Sequence, residues 1–292
     1  MPTFATPAPI IVTLDIGVGD VRITAREGAD TVVEVRPSNP EKQADVAAAG
    51  QTRVEFSDGH LLIKGPKGWR RYSPIGSRES IDVQIELPQG SQLRGEAGVA
   101  ALHSTGTLGE CKYTTGVGDI QIDRTGPAHL STGVGDVSLD HASGRAQVSS
   151  GSGTVRIGTV DGTADVKGAN GDTWIGDVAQ DLRVVSANGS ISVARAHATV
   201  VAKTANGDIR IGDVESGTVV AHTALGKVEI GIAAGVAAWL DLDTHFGKVH
   251  NELDAAGPPK PGERAVDVRA RTSFGDITVH RATPVGTEAG VG

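Results

Sequence analysis

Six aspartates directly follow a glycine that reads as a turn: Asp20, Asp119, Asp136, Asp172, Asp208 and Asp276. Carboxylates recurring at equivalent positions are the raw material of acid–base pairs and of calcium sites, which draw several oxygen ligands from neighbouring chain segments. Whether these can meet depends on what spaces them. Gly118 and Gly135 are 17 residues apart, and if that step is one coil of a stacked fold, equivalent residues lie about 4.8 Å apart. Asp119 and Asp136 then become neighbours and the best calcium candidates in the chain. Against them, the same offset elsewhere holds Thr154, Ser190, Lys227 and Lys248, and the opposite bends read TVDGT, VAQDL and VESGT rather than a Gly-rich acidic loop. Asp beside a turn glycine is ordinarily a turn residue. The expectation is a structural column, with no cofactor and no catalytic residue.

A second group is the segment KGPKGWRRY, where Lys64, Lys67, Trp69, Arg70, Arg71 and Tyr72 form the one basic and aromatic cluster of an acidic chain. Such a loop suits an anionic partner through charge and stacking; the plainer expectation is a solvated loop whose Trp packs on its surroundings. The net charge of −8 speaks against a whole-surface nucleic-acid binder, so no nucleic-acid partner is expected. The nine His show neither H-x-x-x-H nor H-E-x-x-H spacing, which leaves metal ligation only through stacking of distant coils. P-loop, G-x-S-x-G and helix-opening G-x-G-x-x-G motifs are missing, so the chain is not expected to be an enzyme. The lone Cys111 excludes an intramolecular disulfide and falls at an inward position, where a packed thiol is the expectation. The N-terminus MPTFATPAPIIVTLDIG lacks the pattern of a secretory signal, and the longest apolar run, IGIAAGVAAWL, is too short to span a bilayer. A soluble cytoplasmic protein without membrane insertion is expected.

The elements that would position these residues are set by a repeat. Between Ser150 and Gly231 one phrase recurs five times, as SGSGTVRIG, GANGDTWIG, SANGSISVA, TANGDIRIG and TALGKVEIG, with turn glycines at 153, 171, 189, 207 and 226, at steps of 18, 18, 18 and 19. Counting from each glycine, apolar or small residues fall at −7, −5 and −3 and again at +2 and +4. Period two on both sides of a glycine means two short strands meeting at a bend. Constant spacing with like residues at like offsets fits stacked coils better than hairpins, because a slip of one residue would turn every apolar side chain outward. The predicted fold is all-β: a single-stranded parallel β-helix of about 18 residues per coil. The general rule for parallel crossovers makes it right-handed, although left-handed hexapeptide helices also use such coils.

Residues 1–90 are expected to hold the first coil, with Gly19 at its bend, and an irregular N-terminal β cap that includes an Asp58-Gly59 hairpin and one helical turn in EKQADVAAAG. Residues 91–280 form the solenoid. Its bends continue at Ala100, Gly118 and Gly135 and, after Gly226, at Gly247 and Gly275, with the Pro/Gly-rich piece 254–264 thrown out as a loop and 281–292 as a disordered tail.

With units such as GVGDIQI, GSGTVRI and ANGDIRI, the opening TLDIGVGDVRI, and KGPKGW and SIDVQIELP between them, the chain resembles the bacterial putative-adhesin family of β-strand-repeat proteins, a domain-of-unknown-function group. The resemblance runs over nearly the full length. It implies the repeat fold and a surface location, and brings no catalytic motif. The function expected is therefore a non-enzymatic scaffold with an unknown protein partner. A carbohydrate-binding or carbohydrate-active β-helix is the alternative, with only 3% aromatic residues to stack on sugars. An end-to-end filament is a third, since weak self-association is expected through the C-terminal coil at Thr272–Val279, where Phe246 and Phe274 recur at the bend.

Overall fold

The computed structural model describes residues 2–66, 79–254 and 264–282. Among these, every regular element but the helix Gln43–Gln51 is a strand. No helix among them is long and apolar enough to cross a membrane. The chain divides into two compact units, Met1–Gly171 and Asp172–Gly292, and each is a parallel β-helix.

In the first unit, coils stack like on like. Cys111 pairs with Ala128, Ala128 with Ala146, and Ala146 with Ala164; on the far side of the bend Ile120 pairs with Val137 and Val137 with Val155. All of these side chains are buried. Tyr113 also points inward and is fully buried; it fits because its neighbour in register is Gly95, where a Cβ would come within 2.5 Å of the ring. The Gly19 coil, Ile11–Arg26, pairs on one side with Gln92–Thr107 and on the other with His60–Lys64 and Ile81–Pro88. Later residues therefore lie outside earlier ones.

Antiparallel strands then close this end. Asp30–Pro37 pairs with Ile81–Pro88, Thr3–Ala5 with Asp30–Pro37, and Arg53–Ser57 with His60–Lys64 across the Asp58-Gly59 turn, whose two residues both have positive φ, 49° and 75°. Helix Gln43–Gln51 buries Ala48 and the carboxylate of Asp45. Asp45 accepts a hydrogen bond from the Ser80 N–H and holds Lys42 at 2.9 Å; the Lys42 contact above all keeps its carboxyl below the usual range.

In the second unit the stack again departs from chain order, and here an expectation is corrected. The coils do not run on from Gly226 to Gly247 to Gly275. Strand Gly217–Leu225 pairs with Ala265–Phe274, which in turn pairs with Ala237–Phe246; Val228–Ile232 pairs with Ile277–Arg281, which pairs with Val249–Asn251. The Gly275 coil is thus inserted between the other two, and the Gly247 coil, not Thr272–Val279, is outermost. The reason lies in composition: the inserted coil turns Val266, Val268, Ala270, Ile277 and Val279 inward, all 0% exposed. The outer coil offers Asn251 at the position of Val279. The more apolar coil takes the seat covered on both sides.

The expectation that the inward offsets are buried in every coil therefore holds at Val228 and Ile277 but fails at Val249, which is 44% exposed. Val228→Asp should strand a charge in the core and cost more than about 4 kcal/mol. Val249→Asp, at the same offset, should cost under about 1 kcal/mol. Urea unfolding of the two variants measures the difference.

Candidate functional site

The Gly-Asp bends are built by close approach. At Gly135, with φ 147°, an added Cβ would sit 2.3 Å from the Gly118 carbonyl oxygen, so glycine is what lets this bend lie on the one before it. The aspartate that follows is then aimed at the next coil. Asp119 Oδ1 accepts a hydrogen bond from the Asp136 N–H at 2.8 Å, and Asp136 Oδ1 from the Thr154 N–H at 2.7 Å. In the second unit Asp172 accepts from Ser190, Asp208 from Lys227 and Asp276 from Lys248, at 2.7–2.8 Å. Each carboxylate satisfies an amide that the bend has turned out of the ladder. Interruption of the column by Thr, Ser and Lys now has a meaning, because the receiving residue supplies only its N–H.

A partner set on the inner side of the bend escaped the sequence argument. Hydroxyls at −3 donate to the carbonyl oxygen of the preceding turn glycine: Thr132 to Gly118 at 2.9 Å, Ser150 to Gly135 at 3.2 Å, Thr204 to Gly189 at 3.2 Å, Thr223 to Gly207 at 2.9 Å and Thr272 to Gly226 at 3.0 Å. The recurrence of Ser or Thr at that single inward offset was the signal.

Asp119 and Asp136 are therefore adjacent, as their spacing predicts, but each has Oδ1 engaged by an amide. No group of three or more His, Cys, Asp or Glu among the described residues could share a metal ion. Histidines likewise join neighbouring coils. His141 lies 3.1 Å from Asp161, and His197 sits between Asp177 at 3.0 Å and Glu215 at 3.1 Å. His222 is held below its ordinary pKa by burial and by the flanking cations Lys203 and Arg271. Of the basic loop, Lys64 lies 3.1 Å from Asp15, while Lys67, Trp69, Arg70, Arg71 and Tyr72 fall outside the described residues, as do 255–263 and 283–292.

Exposed apolar side chains stand outside this bonding, among them Val117 and Val134 in the first unit and a larger, aromatic set in the second. Trp174 is 47% exposed on the outer face of Thr173–Val178. Leu225, Phe274 and Phe246 occupy one offset in three successive coils, and the two phenyl rings stack with centroids 4.8 Å apart and planes 7° from parallel.

Two measurements check the structural assignment of these groups. Asp136→Ala removes the acceptor for the Thr154 amide and should lower unfolding free energy by about 1 kcal/mol, whereas Asp136→Asn keeps an oxygen there and should stay within about 0.5 kcal/mol. Calcium should leave the melting temperature unchanged; a rise abolished by Asp119→Ala with Asp136→Ala would instead put a cation between the carboxylates. Cys111 is fully buried, which pushes its thiol up to about 12, with the Glu110 charge adding to the effect. It should resist a thiol reagent such as dithionitrobenzoate in the native protein and react once urea unfolds it.

No curated protein matches the chain. Among solved structures it is similar to a putative adhesin from Bacteroides fragilis, at 19% identity over 72% of this chain and 95% of that one, with a TM-score of 0.44. It is also similar to a putative cell adhesion protein from Clostridium sporogenes, at 12% identity over 96% and 98% of the two chains and a TM-score of 0.24. A putative lipid binding protein from Parabacteroides distasonis matches at 11% identity over 94% and 95%, with a TM-score of 0.31. The profile of the Toastrack DUF4097 family matches residues 11–280, nearly the whole of the repeat array just described, and the chain belongs to that family.

Proposed function

We propose that the protein is a non-enzymatic binding scaffold whose outward side chains, set in rows at the strand spacing, form a recognition surface for a protein partner. The observation that carries this reading is Trp174, 47% exposed on a sheet face, with Ser192 and Arg210 at the same offset in the next two coils. Trp and Arg side chains dominate binding energy at protein interfaces, and the Arg210 side chain is itself 66% exposed. Absence of enzymatic activity is supported by the use made of the chemically competent groups: the bend carboxylates and hydroxyls are bonded to backbone of the neighbouring coil. We place the protein in the cytoplasm, since a chain with one cysteine needs no oxidising compartment.

The test is affinity capture from the native cell with cross-linking, using the intact protein and Trp174→Ser. A defined protein partner should be recovered with the wild type and fall about tenfold with the variant. Equal recovery would remove Trp174 from the surface, and binding to a glycan array in place of any protein would overturn the reading.

A further inference from the structure

The Gly247 coil presents an unusual edge. Strands Ala237–Phe246 and Val249–Asn251 pair on one side only among the described residues, with the Gly275 coil. Backbone amides and carbonyls on the other side form a template for a further strand. The side chains around it are apolar and open: Trp239 is 60% exposed, Phe246 67% and Val249 44%. The end of the first unit is treated differently, with short antiparallel strands, the charged pair Arg53 and Glu55 and a helix laid over it. Both devices are known ways of blunting a sheet edge.

We propose that the Gly247 edge docks the same edge of a second copy of the chain, about a two-fold axis through the bend at Phe246 and Gly247, to give a closed dimer. The residues themselves are self-complementary about that axis. Thr244 and Leu242 share the inward face with buried Thr272 and Ala270, and Val249 and Asn251 share it with buried Ile277 and Val279. These inward positions straddle the bend symmetrically. An antiparallel copy turned about it sets Thr244 opposite Val249 and Leu242 opposite Asn251, so inward meets inward and the backbone groups stay in step.

On the outer face the same rotation puts Asp243 opposite His250, twice in the dimer. Phe246 falls opposite Gly247, where no side chain blocks the approach, so the stack of Phe274 and Phe246 can continue into the copy. The same rotation also sets Asp241 opposite Glu252 and His245 opposite Lys248, each twice; Asp241 already has Arg271 at 3.5 Å. Like meeting like is an isologous contact and closes at two copies, which separates this assembly from a filament.

The surface is distinct from the Trp174 face, so loss of partner capture and loss of dimerisation are separate outcomes. Light scattering on the intact chain from micromolar to submillimolar concentration should show a mass rising from 29.8 kDa to twice that value and no further. Asp243→Lys and His250→Asp should each weaken the dimer at least tenfold, and the double variant should restore it, because the swapped charges face each other again across the axis. Circular dichroism confirms that each variant is folded. A monomer throughout the range, growth beyond two copies, or single and double variants that dimerise alike would each overturn the proposal. So would a dimer that appears only after removal of residues 283–292, which would show the chain's own terminus occupying the edge.

Discussion

A chain that bends on top of itself at the strand spacing must satisfy, at every corner, an amide and a carbonyl that the bend has rotated out of the ladder. Only about 4.8 Å separates one corner from the next, too little for an intervening side chain and too much exposure for the groups to be ignored. Three residue types answer that constraint in this protein. Glycine allows the approach, a Ser or Thr hydroxyl three residues earlier meets the carbonyl, and an Asp one residue later meets the amide. The strands between corners need only to be short and apolar on one side, which is why Ala, Val and Ile suffice for most of the core.

This solution has a chemical consequence. Carboxylates, hydroxyls and imidazoles are plentiful and lie close together, which in another fold would suggest acid–base or metal chemistry. Here Asp119, Asp136, Asp172, Asp208 and Asp276 are hydrogen-bonded across coils, and His141 and His197 lie against carboxylates of adjacent coils. Among the described residues, the indole of Trp174 and the apolar side chains Trp239, Phe246 and Val249 are side chains that the stacking leaves exposed.

Much of this was legible in the sequence. Period-two patterning on both sides of a turn glycine fixes which side chains face inward, and the near-constant step fixes that equivalent residues pair, so the register from Cys111 to Ala164 could be read before any coordinates. Coil order at the ends could not. Stacking depends on residue type at each offset, and the Gly247 and Gly275 coils both fit the same pattern; only the burial of Val266, Val268 and Ile277 between two neighbours decides which is inside. The role of the Asp column was hidden for a related reason. Its bonding partner is a backbone amide, which every non-proline residue carries, so no side-chain pattern reveals it.

Insertion of the Gly275 coil between two earlier ones also bears on how the second unit is made. A ribosome delivers the Gly247 coil before the strands it rests on, so that segment leaves the exit tunnel with no seat to occupy. The hydrophobic inner faces of the Gly226 and Gly247 coils stay uncovered until residues 265–281 have been synthesised and wedge between them. Most stacked repeats can grow coil by coil as they emerge, each template receiving the next. The end of this one cannot, because the Gly247 coil gains its seat only when residues 265–281 complete both neighbours at once.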